Sequence, residues 1–169
     1  MKTLNQILRE LETLTSYSPF EEHPIFKIWG SIPKKNYLFT RELIDKLSYS
    51  LNSKNEDAIY DLILISDIDG VDKKFTDIFC QLLKVDWYQS GEDIVSLLEE
   101  IKDPKSIDTL YETALNFPDY DDARALTKKC IWALDAINTK EAKEKLSLLA
   151  HSDDPIIKEF ALMRLNHKR

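Results

Sequence analysis

Glycine and proline are scarce in this sequence, with three glycines and six prolines among 169 residues. All-β sandwiches use glycine in their turns, and nucleotide-binding α/β folds use it in phosphate-binding loops, so both classes are disfavoured. No run of apolar residues approaches the length that spans a membrane. The shortages favour an all-α fold.

Cationic residues and cysteines are also few. Lysine and arginine total 23 against 30 aspartates and glutamates, so the formal charge is −7. Nucleic acids and anionic membranes bind clustered cations, so both are disfavoured as direct partners, whereas a basic protein fits.

Cys80 and Cys130 lie in apolar helical patterns typical of core residues rather than of a disulfide. The N-terminus lacks a signal-peptide pattern, so we expect a cytoplasmic protein.

Apolar residues at helical spacing dominate the chain. Thr3 and Gln6 have capping-box spacing ahead of a stripe formed by Leu4, Leu8, Leu11 and Leu14. Residues 16–37 hold three prolines and several aromatics, and there we expect only a short helix at 23–30. From Thr40 onward the pattern predicts helices at 40–51, 57–68, 73–88, 94–101, 105–115, 123–137, 140–150 and 156–165.

Capping residues indicate where several of these helices begin. Capping boxes have a serine followed three residues later by an acid, and N-cap aspartates can precede a proline at the first helical position. The predicted starts are Ser53 with Glu56, Ser90 with Asp93, Asp103-Pro104, Thr139 and Asp154-Pro155.

The helices repeat. Apolar or small residues recur at a constant offset of 36 positions. One set matches Ile94, Leu98 and Ile101 with Cys130, Leu134 and Ile137. A second set matches Ser106, Leu110 and Ala114 with Ala142, Leu146 and Ala150. After 31 residues, Leu126, Cys130 and Leu134 match Ile157, Ala161 and Leu165. Two helices per period predict an α-solenoid of about four helix pairs over residues 40–169. Residues 1–39 would form an N-terminal cap within the same single domain.

The segments "DPKSIDTLYETAL … DDARALTKKCIWALDAI" and "TKEAKEKLSLLAHSDDPIIKEFALMRL" resemble the short HEAT-type repeats also found in bilin-lyase-like proteins. The resemblance is best over 90–165, weaker over 40–89 and absent over 16–39. One unit has Leu126-Thr127 where the family usually has a valine-arginine pair. Because the repeat motif is degenerate, the resemblance implies a fold rather than an activity.

No motif predicts catalysis, a cofactor or a metal ion. "DIDG" at 67–70 resembles a phosphatase loop or the start of a calcium loop. The phosphatase loop would need a preceding strand, which the pattern does not predict, and Val71 and Ile78 stand where a calcium loop has oxygen ligands. We therefore expect a turn at 67–70. His23, His151 and His167 lack metal-ligand spacing. Trp132 and Asp135 are faintly similar to the cleft of HEAT-like DNA glycosylases, a remote alternative that the negative charge disfavours.

Acidic residues concentrate in the turns within each predicted helix pair. Those turns hold ten carboxylates against Lys54 and Arg124, whereas the turns between pairs hold six acids and seven bases. Helix capping accounts for one or two acids in each of these turns. A docking surface for a basic protein would account for the additional acids and for the aromatic residues beside them. Both interpretations stay open. The candidate partner-binding residues are Glu56, Asp57, Asp86, Trp87, Tyr88, Glu92, Asp93, Asp119, Tyr120, Asp121, Asp122, Trp132, Asp153 and Asp154.

We therefore expect a non-enzymatic module that binds a basic protein in a 1:1 complex. In size, charge and architecture the chain resembles bacterial immunity proteins, which neutralise nuclease-type toxins such as those of contact-dependent growth inhibition. That resemblance implies a toxin domain as the partner. The alternative is a general scaffold or assembly factor.

Overall fold

The computed structural model describes residues 2–13, 30, 32, 36–116 and 124–166. In these ranges the regular structure consists of nine α-helices and short 3₁₀ turns without any strand, so the predicted all-α class is confirmed. None of the helices in the described part combines the length and apolar character needed to cross a membrane. The predicted helix at 23–30 lies almost wholly outside the described residues. Contacts divide the chain into two compact units, residues 1–71 and 72–169; the single domain with an N-terminal cap stays a prediction.

The first unit contains α1 (Leu4–Thr13), α2 (Tyr37–Asn52) and α3 (Glu56–Asp69), and α2 packs against both of the others. The predicted capping box of α1 is confirmed: the Thr3 N–H donates to Gln6 Oε1 at 2.8 Å, and the Gln6 N–H donates to Thr3 Oγ1 at 3.3 Å. The buried residues of α1 are Leu4, Ile7 and Leu11, so Ile7 takes the place predicted for Leu8.

Two helix starts in this unit differ from the prediction. Helix α2 begins three residues early because the Asn36 side chain accepts hydrogen bonds from the N–H groups of Leu38 and Phe39 at 3.1 and 3.2 Å. The capping box at Ser53 is wrong: Asn55 caps α3 by accepting from the Ala58 N–H at 3.1 Å. Ser53 instead closes α2, since its N–H donates to the Tyr49 carbonyl. The turn expected at 67–70 begins only at Gly70, which has a φ of 93°, because α3 continues through Asp69.

The described residues of the second unit form six α-helices, and 3₁₀ turns at Lys73–Phe75 and Pro104–Ser106 lead into two of them. The helices are α4 (Thr76–Leu82), α5 (Gly91–Ile101), α6 (Ile107–Leu115), α7 (Ala125–Ile137), α8 (Lys140–Leu149) and α9 (Pro155–Asn166). Helix α7 packs against α5, α6, α8 and α9, while α8 also contacts α6 and α9. The helix predicted at 73–88 is too long, because the chain leaves α4 at Leu82 and continues as a loop that buries Tyr88.

Three predicted caps in this unit are confirmed. Asp103 accepts from the Lys105 N–H at 3.2 Å, Thr139 from the Ala142 N–H at 3.1 Å, and Asp154 from the Ile156 N–H at 2.8 Å. Ser90 stands at the N-cap of α5 without a side-chain capping bond. Helix α7 follows Arg124, which has a φ of 56° and likewise makes no side-chain capping bond.

Burial agrees with the repeat positions. All twelve positions paired at the 36-residue offset are buried. At the 31-residue offset, Leu134 is fully buried, whereas its counterpart Leu165 is 38% exposed. The difference has a simple cause: α7 has α9 packed on its outer side, and no further helix follows α9 in the described residues. The recurring apolar positions therefore mark contacts between helices.

A buried threonine–aspartate hydrogen bond occurs in each unit. Thr40 Oγ1 lies 3.0 Å from Asp69 Oδ2, and Thr76 Oγ1 lies 3.1 Å from Asp103 Oδ2. Thr40 is the fourth residue after Asn36, the N-cap of α2, and Thr76 is the fourth after Asp72, the N-cap of the 3₁₀ turn that leads into α4. Asp69 is the last residue of α3, and Asp103 is the N-cap of the turn that follows α5. Each bond therefore joins residues at least 27 positions apart. Spacing in the sequence did not predict these bonds.

Candidate functional site

In the second unit, the starts of α5, α7 and α9 lie at one end. Lys129 Nζ on α7 is 3.3 Å from Glu92 Oε2 at the start of α5. Arg124 Nε, just before α7, is 3.3 Å from Asp154 Oδ2, just before α9. We call the described residues at this end (83–93, 124 and 150–154) the turn edge. It carries five of the predicted partner-binding acids.

Two of these five acids are engaged within the protein. Glu92 pairs with Lys129, and Asp154 combines its ion pair with hydrogen bonds from the backbone of α9. Partial burial disfavours the Asp154 carboxylate, but the N–H groups of Ile157 and Ile156 and the Arg124 side chain stabilise it more, so its pKa lies below the ordinary value. For Asp154, the capping interpretation therefore has direct structural support.

The other three acids of the turn edge are Asp86, Asp93 and Asp153. All three are exposed, and none forms an ion pair with another described residue. Of the remaining predicted site residues, Glu56 and Asp57 are exposed in the first turn of α3, in the first unit. Residues 119–122, which include three aspartates and Tyr120, lie outside the described residues, and their role stays a prediction.

Three acids toward the opposite end of the second unit have internal partners. Asp103 is buried against Thr76, and Asp72 lies 3.1 Å from Lys74. Asp108 Oδ1 lies 2.6 Å from Lys145 Nζ, and this hydrogen bond raises the pKa of the lysine. Asp77 and Glu141 at the same end are exposed and form no ion pair with another described residue, so each end has both paired and unpaired acids. Counting charges in the sequence could not distinguish the two kinds.

The predicted aromatic residues have different environments. Tyr88 is only 5% exposed, so it does not form the surface anchor expected from the sequence. Trp87 is half-buried and meets the Tyr88 ring edge-on, with centroids 6.4 Å apart. Trp132 is 37% exposed, and the Arg164 guanidinium lies 5.1 Å from its ring centre. Trp132 thus packs against α9 and also reaches the surface.

A pocket of about 400 Å³ adjoins the turn edge. It opens among the end of α4, the following loop, α6 and the first residues of α7, and its apolar lining includes Leu82, Leu83 and Leu126. Lys84 and Glu112 lie beside it with charged atoms 3.9 Å apart. Sequence reasoning missed the pocket because its lining comes from three separate segments; only Asp86 and Tyr88 among the predicted site residues belong to it.

The described residues contain no group of three or more His, Cys, Asp and Glu side chains placed to hold a metal ion. The one histidine among them, His151, has Nδ1 2.7 Å from the Ser147 carbonyl oxygen. Cys130 is buried, as expected, whereas Cys80 is half-buried, and burial raises the pKa of its thiol. Both cysteines are free.

Comparison with models of known protein families and with curated proteins gave no significant match. The similarity to HEAT-type repeats therefore stays a resemblance carried by the residues quoted above. Functional inference depends on the geometry of the turn edge and its pocket.

Proposed function

We propose that this chain is a non-enzymatic protein-binding module whose turn edge binds a basic protein. The observation that supports this best is the set of three exposed carboxylates on that edge, Asp86, Asp93 and Asp153, without ion pairs among the described residues. Carboxylates that neither cap a helix nor pair internally add a negative field at the surface. Such a field steers a cationic partner toward the edge and speeds its association.

The proposal includes a fold assignment. We infer that α4–α9 form three HEAT-like helix pairs of an α-solenoid, and that α2 with α3 is a pair of the same kind. In support, α5, α7 and α9 pack successively, α6 contacts α8, and the buried positions recur at a fixed offset. In a solenoid the turns within pairs stack along one edge, which would form an extended binding surface.

Our best candidate for the partner is a nuclease-type bacterial toxin, which makes the chain an immunity protein. A net charge of −7 suits the neutralisation of a basic nuclease, because such enzymes carry cations for nucleic acid. The alternative is a scaffold with another basic partner. A HEAT-like DNA glycosylase is disfavoured, because Asp135 pairs with Arg164 at 3.8 Å and the same arginine covers Trp132.

The test compares two charge-matched double variants. The first, Asp93→Asn with Asp153→Asn, removes two exposed acids from the turn edge. The second, Asp77→Asn with Glu141→Gln, removes two exposed acids from the first turns of α4 and α8, at the opposite end. The partner is a basic protein encoded next to this gene, and stopped-flow mixing measures association at low and high salt.

We expect the turn-edge variant to associate about tenfold more slowly at low salt, and the control variant to stay near wild type. High salt should reduce the difference, because it screens exposed charges. Equal slowing of both variants would mean that only overall charge matters, and unchanged association of the turn-edge variant would exclude the edge as the interface. A neighbouring gene for a secreted toxin supports the immunity assignment, and a metabolic operon contradicts it.

A further inference from the structure

We propose that the pocket beside the turn edge receives one long cationic side chain, an arginine, from the bound partner. This inference rests on the proposed function, since it names the group that the basic protein inserts. Asp86, Tyr88 and Gly91 belong both to the turn edge and to the pocket lining. A protein that covers the edge therefore also covers the pocket opening.

The size and apolar lining of the pocket suit a side chain with a long methylene stem. Its volume of about 400 Å³ lies within the range of ligand pockets in proteins. Leu82 and Leu126 are buried and Leu83 is half-buried, so the inner lining is largely hydrocarbon. The stem of an arginine packs against such a surface while its charged end stays near polar groups.

The charges of the pocket favour a cation. Among the lining residues that the structure describes, Asp86 and Glu112 supply two carboxylates against the one cation of Lys84. The Lys84–Glu112 pair is long, at 3.9 Å, and both side chains are more than half exposed, at 58% and 60%. Such pairs contribute little stability, so an incoming cation can displace Lys84 at small cost. An anionic occupant would face an excess of negative charge.

Arginine fits better than lysine for a geometric reason. Two carboxylates on different segments, one in the loop after α4 and one on α6, can be contacted by the two sides of a planar guanidinium. Thr113 and Asn116 add neutral polar groups to the lining. A lysine ammonium is a compact charge and would use fewer of these groups at once.

The experiment needs no identified partner. The probe is N-acetyl-arginine N-methylamide, titrated into the full chain and followed by amide NMR shifts, with the citrulline analogue as a neutral control of the same shape. We expect the arginine probe to bind with a Kd of about 1 mM and to shift amides of residues 82–91 and 109–116. The citrulline probe should bind at least about threefold more weakly, and the lysine analogue should fall between them.

Variants locate the charge dependence. Asp86→Asn and Glu112→Gln should each weaken arginine binding about threefold, and Lys84→Gln should strengthen it by a similar factor. Asp77→Asn is the matched control, because it removes the same charge from an exposed residue outside both the turn edge and the pocket lining. All four positions are exposed, so these variants should fold.

Equal affinity for arginine and citrulline, or an equal loss in Asp86→Asn and Asp77→Asn, would overturn the pocket assignment. The outcome is separable from the test of the proposed function, because neither Asp93 nor Asp153 lines the pocket. Absent arginine binding together with slow association of the turn-edge variant would refute the pocket alone. Arginine binding together with unchanged association of that variant would refute the docking role of the edge and leave the pocket in place.

Discussion

Asp153 and Asp154 are neighbouring acids for which the structure predicts opposite consequences of substitution. Asp154 accepts hydrogen bonds from the N–H groups of Ile156 and Ile157 at 2.8 and 3.2 Å and pairs with Arg124. Asp153 is exposed and makes no ion pair with another described residue. Changing each to alanine therefore tests directly which acids of the turn edge maintain the fold and which are available to a partner.

The expected loss for Asp154→Ala follows from these contacts. Losing an N-cap aspartate costs about 1 kcal/mol, and losing a partly exposed ion pair costs up to about 1 kcal/mol. Together they predict that the free energy of unfolding falls by about 1.5–2 kcal/mol. Asp153→Ala should change it by less than about 0.5 kcal/mol, because surface substitutions away from caps and pairs have small effects.

Urea unfolding measured by tryptophan fluorescence and by circular dichroism distinguishes the two variants. Two of the three tryptophans, Trp87 and Trp132, lie in the second unit with Asp154, so fluorescence reports mainly on that unit. Equal destabilisation by the two substitutions would refute the reasoning. A change below about 0.3 kcal/mol for Asp154→Ala would refute it as well, since a working cap loses more than that.

Asp154→Asn separates the charge from the cap, because asparagine caps helices about as well as aspartate. The pKa of Asp154 is lower in the folded protein than its ordinary value. The carboxylate's contribution is therefore complete above the unfolded pKa of about 4 and is lost as the pH falls through the lower folded pKa. The stability difference between wild type and Asp154→Asn should shrink over that window. A difference that stays constant with pH would show that the charge does not contribute.

Three further predictions concern the second unit. Asp103→Ala should lower the free energy of unfolding by about 2–3 kcal/mol and Thr76→Val by about 1 kcal/mol, as measured by urea unfolding. The double variant should show a coupling of about 1 kcal/mol between the two residues. Additive losses would contradict the hydrogen bond between them. Gly91→Ala should raise the free energy of unfolding by about 0.5 kcal/mol, because Gly91 lies in α5 without a positive φ. The added Cβ would meet two leucines at the ordinary contact distances of 3.4 and 3.5 Å. Destabilisation by this substitution would contradict the prediction. Asp108→Asn should lower the pKa of Lys145 toward the ordinary lysine value, as measured by NMR titration, and an unchanged pKa would contradict the ion pair.

Two of the predicted helix starts, at Thr139 and Asp154, are confirmed by side-chain capping bonds. Ser53 failed because Asn55 stands two residues later and can cap equally well. The choice depends on where α2 ends: Lys54 adopts a φ of 53° and turns the chain, which leaves Asn55 at the start of α3.

The candidate site was predictable only in outline. The acidic turns were visible in the sequence, but the sequence did not show which acids pair. Among the described residues, Glu92 and Asp154 form ion pairs, whereas Asp86, Asp93 and Asp153 form none. Glu92 pairs with a residue 37 positions away and Asp154 with one 30 positions away. Contacts at such separations depend on how the helices pack, which local spacing does not specify.

Helical class, most capping residues and the recurring buried positions were determined by the sequence alone. These features arise from interactions within a few residues, such as side-chain caps, and from apolar spacing that matches the helical period. The buried bond between Thr76 and Asp103, the internal pairing of particular acids and the pocket beside α4 and α6 were decided only by the tertiary structure. Each of them joins residues from separate helices, and their positions follow from the packing of those helices as a whole.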